Sequence, residues 1–489
     1  MRCALVAVAI LLCAPVPPAL PDATRYAKLN KLNVVALDAQ GQPATGLTRA
    51  DFQLFEDGKR QDIAFLRFTG SSALKTKPGP GEYSNRARAS WHPTVILIDL
   101  LSERMVNDSI IGRQVADSLK NLESSDALYL YMLTARGELY PVRPLPKPGA
   151  EVAADAEPWT RNIAPMLQTA LKDLVRVKPI DDRDIKIRFD LSMHALRELR
   201  ARMAQACGRK NLVWVTRGIP IVGFSASTQS GLDFTYPLRW FGEELSQAQI
   251  VMYTVDQSVA DAGTAIGTLD EFTSITGGRG YSSGRAGDAI QQALKDSRAN
   301  YQIAYYSAEL KPDGKHHKIR VSCERKEVRL QTEHGFYDLA PLLSPSAPDP
   351  GSFSSRELPV EIETAALSPF DASEIGLRVN VSSDSGDARK RRLEVHIDAA
   401  DLLPRPMPEH FDGKVLVAFL MYDEGLRQGS RPVVVSLTPE QLATAAHGEI
   451  SLGEVIPVAP AMRKIRVIAF DAALGAVGSV TIPIPQAQH

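Results

Sequence analysis

Cysteine is scarce, with four in 489 residues. Cys3 and Cys13 lie in the first stretch, so a small disulfide-stapled scaffold is excluded. Cys207 and Cys323 remain, readable as one disulfide or as two buried free thiols, because the sequence does not carry their geometry. An excess of charge is also lacking. Lys and Arg number 56 against 57 Asp and Glu, a formal net charge of -1. No bulk basic field exists to draw nucleic acid or an anionic membrane. After the amino terminus no run approaches the roughly 20 apolar residues of a spanning helix. H-E-x-x-H, C-x-x-C and G-x-S-x-G are absent. GFSAS, Gly223–Ser227, lacks the closing glycine and reads as a loop. GGRGYSSG, Gly277–Gly284, puts Ser283 where a dinucleotide loop needs its last glycine, and it follows a helical pattern rather than a strand. No nucleophile, base and orienting group assemble from what is left. The chain therefore reads as non-catalytic.

What is present begins with MRCALVAVAILLCAPVPPALPDA. Arg2 supplies a positive start, Ala4 to Ala14 an apolar core, and small residues near Ala19 and Ala23 a cleavage zone. Residues 1–23 read as a secretory signal, hence a periplasmic or secreted protein. Leu12 is too bulky for a lipoprotein signal at Cys13. At roughly 100–200 residues per domain, two to four domains are expected. Residues 28–70 read as a small β unit: Leu32–Leu37, Phe52–Phe55 and Ile63–Phe68 are strand-like, and Asp57-Gly58 is a hairpin signal. Residues 71–90 are Pro/Gly-rich and polar, a linker.

From 91 to 300 the rhythm changes. Thr94–Asp99, Ala127–Leu133, Leu212–Thr216 and Ile250–Val255 are apolar runs. Between them lie helical spacings: Ile111, Val115, Leu119 and Leu122; Phe189 to Met203; Leu269, Phe272 and Ile275, stopped by Gly277-Gly278; then Ile290 and Leu294. This alternation predicts a doubly wound, mostly parallel α/β domain. Residues 301–340 return to β and are expected to complete the amino-terminal unit. Residues 341–357 form a second linker. Residues 358–489 predict a separate antiparallel β-sandwich, with one helix at Thr438–Ala446.

The segment ALDAQGQPATGLTRADFQLFEDGKRQDIAFLRF resembles the opening of bacterial, acidobacterial-type von Willebrand factor A-related proteins. Gly46, Leu47, Asp51, Phe52, Leu54, Glu56, Asp57, Gly58, Gln61 and Ile63 fit their G-L-x-x-x-D-F-x-L-x-E-D-G-x-x-Q-x-I pattern. TVILIDLL, GRKNLVWVTRGIP, IVMYTVD, TGGRGY and GFY resemble later parts, so the likeness runs from about Leu32 to Tyr337. It implies a von Willebrand A-like fold class flanked by antiparallel β-sandwich domains. It also implies a protein ligand at the carboxyl ends of the sheet strands, often through a metal held by D-x-S-x-S, a Thr and T-D-G.

This chain departs from that metal pattern. Asp99 is in place, but Leu101 and Glu103 stand at the hydroxyl positions, and Ser102 is shifted by one. T-D-G is replaced by Thr216-Arg217-Gly218. Mg²⁺ wants an octahedral oxygen shell, and an arginine does not deprotonate beside it. The ligand-face candidates are Asp99, Ser102, Glu103, Thr216, Arg217 and Asp256. Either Arg217 pairs with Asp99 where a cation would sit, or it points to solvent. A divalent cation on Asp99, Ser102 and Glu103 is the weaker alternative, so no cofactor is expected. His316-His317 reads as a solvated turn. Arg389, Lys390, Arg391 and Arg392 read as a solvated loop or a rim for an acidic partner.

The expectation is an exported, non-catalytic protein-binding module with a degenerate, metal-free adhesion site. Its partner would be another protein or an envelope component. The alternatives are metal-dependent adhesion, a structural scaffold of the cell envelope, or hydrolase-like activity.

Overall fold

The structure, a computed structural model, describes residues 29–69, 79–86, 92–101, 128–149, 163–174, 185–216, 218–219, 222–225, 230–256, 266–281, 286–307, 315–337, 358–384, 387–402, 414–423, 426–436 and 448–484. The expected signal, the helix on Ile111 to Leu122, the second linker and the helix at Thr438–Ala446 lie outside these residues. The chain begins with β1 (Leu29–Leu37), β2 (Phe52–Glu56), β3 (Lys59–Gln61) and β4 (Ile63–Phe68). Asp57 and Gly58 join β2 to β3 with φ of 49° and 79°. Two positive φ values in a two-residue loop match the right-handed twist of the strands they connect. The expected linker 71–90 contains a strand, β5 (Glu82–Ser84).

Next come β6 (Thr94–Asp99), β7 (Leu128–Leu133), β8 (Leu139–Arg143), α1 (Ile163–Leu174) and α2 (Ile185–Met203). They are followed by β9 (Lys210–Thr216), β10 (Val222–Ser225), β11 (Ser230–Asp233), α3 (Thr235–Gln247) and β12 (Ile250–Asp256). Then come α4 (Ile266–Thr276), β13 (Gly280–Tyr281) and α5 (Ala286–Arg298). Six of these strands form a mixed sheet in the order β13-β12-β9-β6-β7-β8, parallel except for the β7–β8 pair. One face carries Leu97, Tyr131 and Trp214 against Met193 and Leu196 of α2 and Phe241 of α3. The other carries Ile96, Leu130 and Val213 against Leu167 of α1 and Ile290 of α5.

The chain then returns to β with β14 (Asn300–Tyr306), β15 (His316–Cys323), β16 (Arg329–Gln331) and β17 (Gly335–Tyr337). β14 lies between β1 and β4, and β15 pairs with β2, giving sheets β16-β1-β14-β4 and β17-β15-β2-β3. Val34, Tyr301 and Ile303 of the first meet Phe52, Leu54 and Ile319 of the second in one core. α6 (Val360–Leu367) follows, then β18 (Leu377–Asp384), β19 (Asp387–Asp398), β20 (Lys414–Asp423) and β21 (Leu426–Ser436). The last strands are β22 (Glu449–Pro457), β23 (Lys464–Asp471) and β24 (Ala476–Pro483). Sheets β22-β19-β18-β5 and β21-β20-β23-β24 pack as a β-sandwich around Val395, Phe419 and Val467, and Phe65 of β4 joins that core. Among the described residues no helix is long and apolar enough to cross a membrane.

The α/β fold class, with a von Willebrand A-like doubly wound core, is therefore corrected. Strand accounts for 49% and helix for 24% of the described residues. Among the described residues, five of the six sheets are antiparallel, and parallel pairing is confined to the one mixed sheet. The physical reason is that the four apolar runs pair parallel only inside one sheet, while the other five sheets are antiparallel. The long alternating strands of the two sandwiches carry more of the chain than the run-and-helix rhythm suggested.

β16 and β17 dock this amino-terminal unit onto α3 and α4. The Gln331 amide donates to the Gly277 carbonyl (3.1 Å), the His334 amide to the Ser274 carbonyl (2.9 Å), and the Tyr337 amide to Glu243 Oε1 (2.6 Å). Glu333, only 5% exposed, lies under this strap. Burial, and then the charge of Glu243, push its carboxyl up to about 8, against contrary effects from Asn33 and Arg209. Its folded pKa thus stands above its unfolded value, so the protonated form contributes stability that is lost as pH rises. Between about 4.5 and about 8, Glu333→Gln should gain stability steadily relative to the wild type, because Gln keeps the neutral shape. Urea unfolding across that range measures it. Parallel stability curves for the two proteins would contradict the assignment.

Candidate functional site

β6 is apolar until its last residue. Asp99 stands where the strand leaves the sheet, and it is 1% exposed. The parallel register sets Ile98 against Val215, and the residue after Val215 is Thr216, the last of β9 and equally buried. Thr216 Oγ1 donates to Asp99 Oδ2 at 2.6 Å, and the Leu101 amide donates to Asp99 Oδ1 at 2.9 Å. The Gly218 amide in turn donates to Thr216 Oγ1 at 3.0 Å, with Gly218 at φ 78°. A carboxylate taken out of water needs such donors. Here they come from the neighbouring strand end and from the turn that follows the carboxylate. Asp256 ends β12 in register with Thr216 and is half-buried. The fold thus brings Asp99, Thr216 and Asp256 to one row of strand ends. Ser102, Glu103 and Arg217 lie outside the described residues. Among the described residues no three His, Cys, Asp or Glu side chains gather as a metal site.

A second polar centre lies at the opposite end of the mixed sheet, and sequence reasoning missed it. A small cleft, partly open to solvent, is lined among others by Arg67, His92, Arg209, Asn300 and Glu374. Glu374 Oε1 accepts from the Gln249 amide at 3.2 Å, and Oε2 accepts from the Val477 backbone at 3.2 Å. Arg67 Nη2 stands 3.8 Å from Glu374 and donates to Gln302 Oε1 at 2.7 Å. Arg209 donates to Asn300 Oδ1 and to the Tyr253 hydroxyl, both at 3.0 Å. Burial pushes the Glu374 carboxyl up, but Lys31 and Arg67 outweigh it and hold the group below its ordinary value. Burial and the charge of Arg209 push His92 down to about 4. These residues come from the amino-terminal sheet, the amino ends of the mixed-sheet strands and the carboxy-terminal unit. No local motif announces them.

Other candidates are relocated. His316 and His317 are not a solvated turn. They open β15, where buried His317 places Nδ1 2.8 Å from Asp57 Oδ2 and stacks on Phe336. The sequence cue was the hairpin Asp57, whose side chain turns back onto β15. Arg389, Lys390, Arg391 and Arg392 belong to β19 rather than to a loop. Lys390 and Arg392 pair there with Asp387 (3.6 Å) and Asp384 (3.3 Å). Cys207 and Cys323 are free thiols in separate clusters, so no disulfide joins them. Burial, and then the charge of Glu374, push the Cys207 thiol up to about 11.

No family model and no curated protein matches the chain, so the von Willebrand resemblance rests on the quoted residues alone. Two of the solved structures that the chain matches show how weak the likeness is. One is a point mutant of the PilB minor pilin from Streptococcus sanguinis, at 12% identity and a TM-score of 0.27, covering 42% of this chain and 60% of that one. The other is a beta-glucosidase from Listeria innocua in complex with isofagomine, at 9% identity and a TM-score of 0.14, covering 89% and 49%. The chain thus spans less than two thirds of either protein, and neither likeness bears on its fold or activity.

Two substitutions weigh the two centres. Thr216→Val removes the donor to Asp99 and should cost about 1–3 kcal/mol in urea unfolding. A neutral result would mean that Asp99 is satisfied without it. Glu374→Ala leaves buried cations uncompensated and should cost about 3–5 kcal/mol. A loss below about 1 kcal/mol, the size of an exposed pair, would deny the junction its importance.

Proposed function

We propose that this chain is an exported, non-catalytic protein-binding module that meets its partner at the carboxyl ends of the mixed-sheet strands, without a metal ion. One observation carries the reading: both oxygens of Asp99 already accept hydrogen bonds from the chain itself. Asp99 shapes the strand-end surface, and Asp256 stands beside it, half-buried and nearer to solvent. In open sheets with parallel strands, ligands collect outside the carboxyl strand ends. The opposite end of this sheet is taken up by the ionic junction. The signal-like residues 1–23 support export. The likeness of Ala36–Phe68 to von Willebrand factor A-related proteins supports a protein ligand.

Calorimetric titration of Mg²⁺, Mn²⁺ and Ca²⁺ into the chelator-treated full chain should give no binding heat. Heat that disappears in Asp99→Ala would replace this reading with metal-dependent adhesion. Capture of a partner from envelope extract should persist in chelator and fall in Asp256→Arg. Capture indifferent to Asp256→Arg would move the contact to the β units and favour a scaffold.

A further inference from the structure

We propose that the outer face of sheet β17-β15-β2-β3 docks an extended acidic segment of a protein partner. This surface is separate from the strand-end site, and the inference does not depend on that reading. Alternation along the strands sends Leu54, Ile319 and Val321 inward to the core and leaves Phe55, Lys318 and Arg320 on the other side. The register sets Phe55 of β2 directly between Arg320 of β15 and Arg60 of β3. Arg60, Lys318 and Arg320 are all exposed. None of the three has an ion-pair partner among the described residues. The two carboxylates nearest Lys318 and Gln53 are engaged. Asp57 accepts from the Lys318 amide and pairs with His317, and Glu324 accepts from Gln53. Elsewhere several sheet arginines pair with carboxylates of other strands, as Arg378 does with Glu449 and Arg431 with Glu454. Here three cations share one face and none is held in an ion pair among the described residues.

Geometry selects the ligand. Same-face side chains of a strand recur about every 7 Å, so Lys318 and Arg320 match carboxylates two residues apart on an extended peptide. The Arg320 guanidinium lies over the Phe55 ring, 4.4 Å from its centroid, which holds the cation in place before binding. Tyr337, which shares this face through His316, lies against the His316 ring and under Arg239, so Phe55 and Tyr337 are each already covered by a cation and neither is a free platform for a nucleic-acid base.

Fluorescence anisotropy tests this on the full chain at low salt, with a labelled peptide of alternating Glu and Thr. The Glu peptide should bind and its Gln counterpart should not. Affinity should fall as salt screens the charges. The pair Arg60→Ser and Arg320→Ser should weaken binding roughly fivefold or more. Arg389→Ser with Lys390→Ser, in the basic run of β19, should leave it unchanged. Arg60→Glu with Arg320→Glu should transfer preference to a Lys–Thr peptide, a gain that misfolding cannot produce. Equal binding by the Ser variant, equal loss in the β19 variant, or tighter binding of a single-stranded oligonucleotide of the same charge would overturn the proposal.

Discussion

One buried carboxylate, Glu374, holds the units of this protein in register. It reaches Arg67 on β4 and Gln249 before β12, and it accepts from the backbone of β24. Lys31 on β1 acts on the same charge. Removing ions from water costs several kcal/mol each, and the cost is recovered only when geometry supplies both opposite charge and hydrogen bonds. Hydrophobic faces alone tolerate sliding. A junction whose charges find partners on three units at once does not. Its worth is thus the unique arrangement it specifies as much as the stability it adds.

That junction gives the mixed sheet two unlike ends. At the amino ends of the strands, Arg209 and Gln249 are drawn into contacts with the flanking β units. At the carboxyl ends stand Asp99, Thr216 and Asp256. The hydrogen bond from Thr216 to Asp99 joins adjacent strand ends, so the first turn after β6 is set by β9. A surface of this kind is stiff at its base. What it presents beyond that base is decided by the loops that follow.

Local chemistry was legible in the sequence, and distant pairing was not. Asp57-Gly58 announced its hairpin because two residues suffice for that turn. Thr94–Asp99 announced a strand because every side chain before Asp99 is apolar or small. The fold class misled, since four parallel apolar runs stand out in a chain whose other sheets are antiparallel. β5 was hidden because Glu82–Ser84 sits in Pro/Gly-rich surroundings, and only pairing with β18 makes it a strand. His317 was misread because its partner Asp57 lies 260 positions away. Arg389 to Arg392 looked like a loop because runs of charge hide the alternation of a strand with one solvated face. Glu374 carries no signature: its neighbours are ordinary, and Arg67 meets it only in the folded chain.

The placement of β14 sets an order of assembly. Leu29 pairs with Tyr306, and β4 pairs with the far side of the same strand. The first four strands therefore leave the ribosome long before the strand that separates β1 from β4. Until then their edges present unpaired amides and carbonyls, the usual template for wrong partners. Closing so wide a loop is slow compared with local pairing. The amino-terminal unit is thus begun early and closed only once Tyr337 has been made, after the whole mixed sheet and before β18 to β24 of the carboxy-terminal sandwich, so its edges must be kept from other chains through that interval.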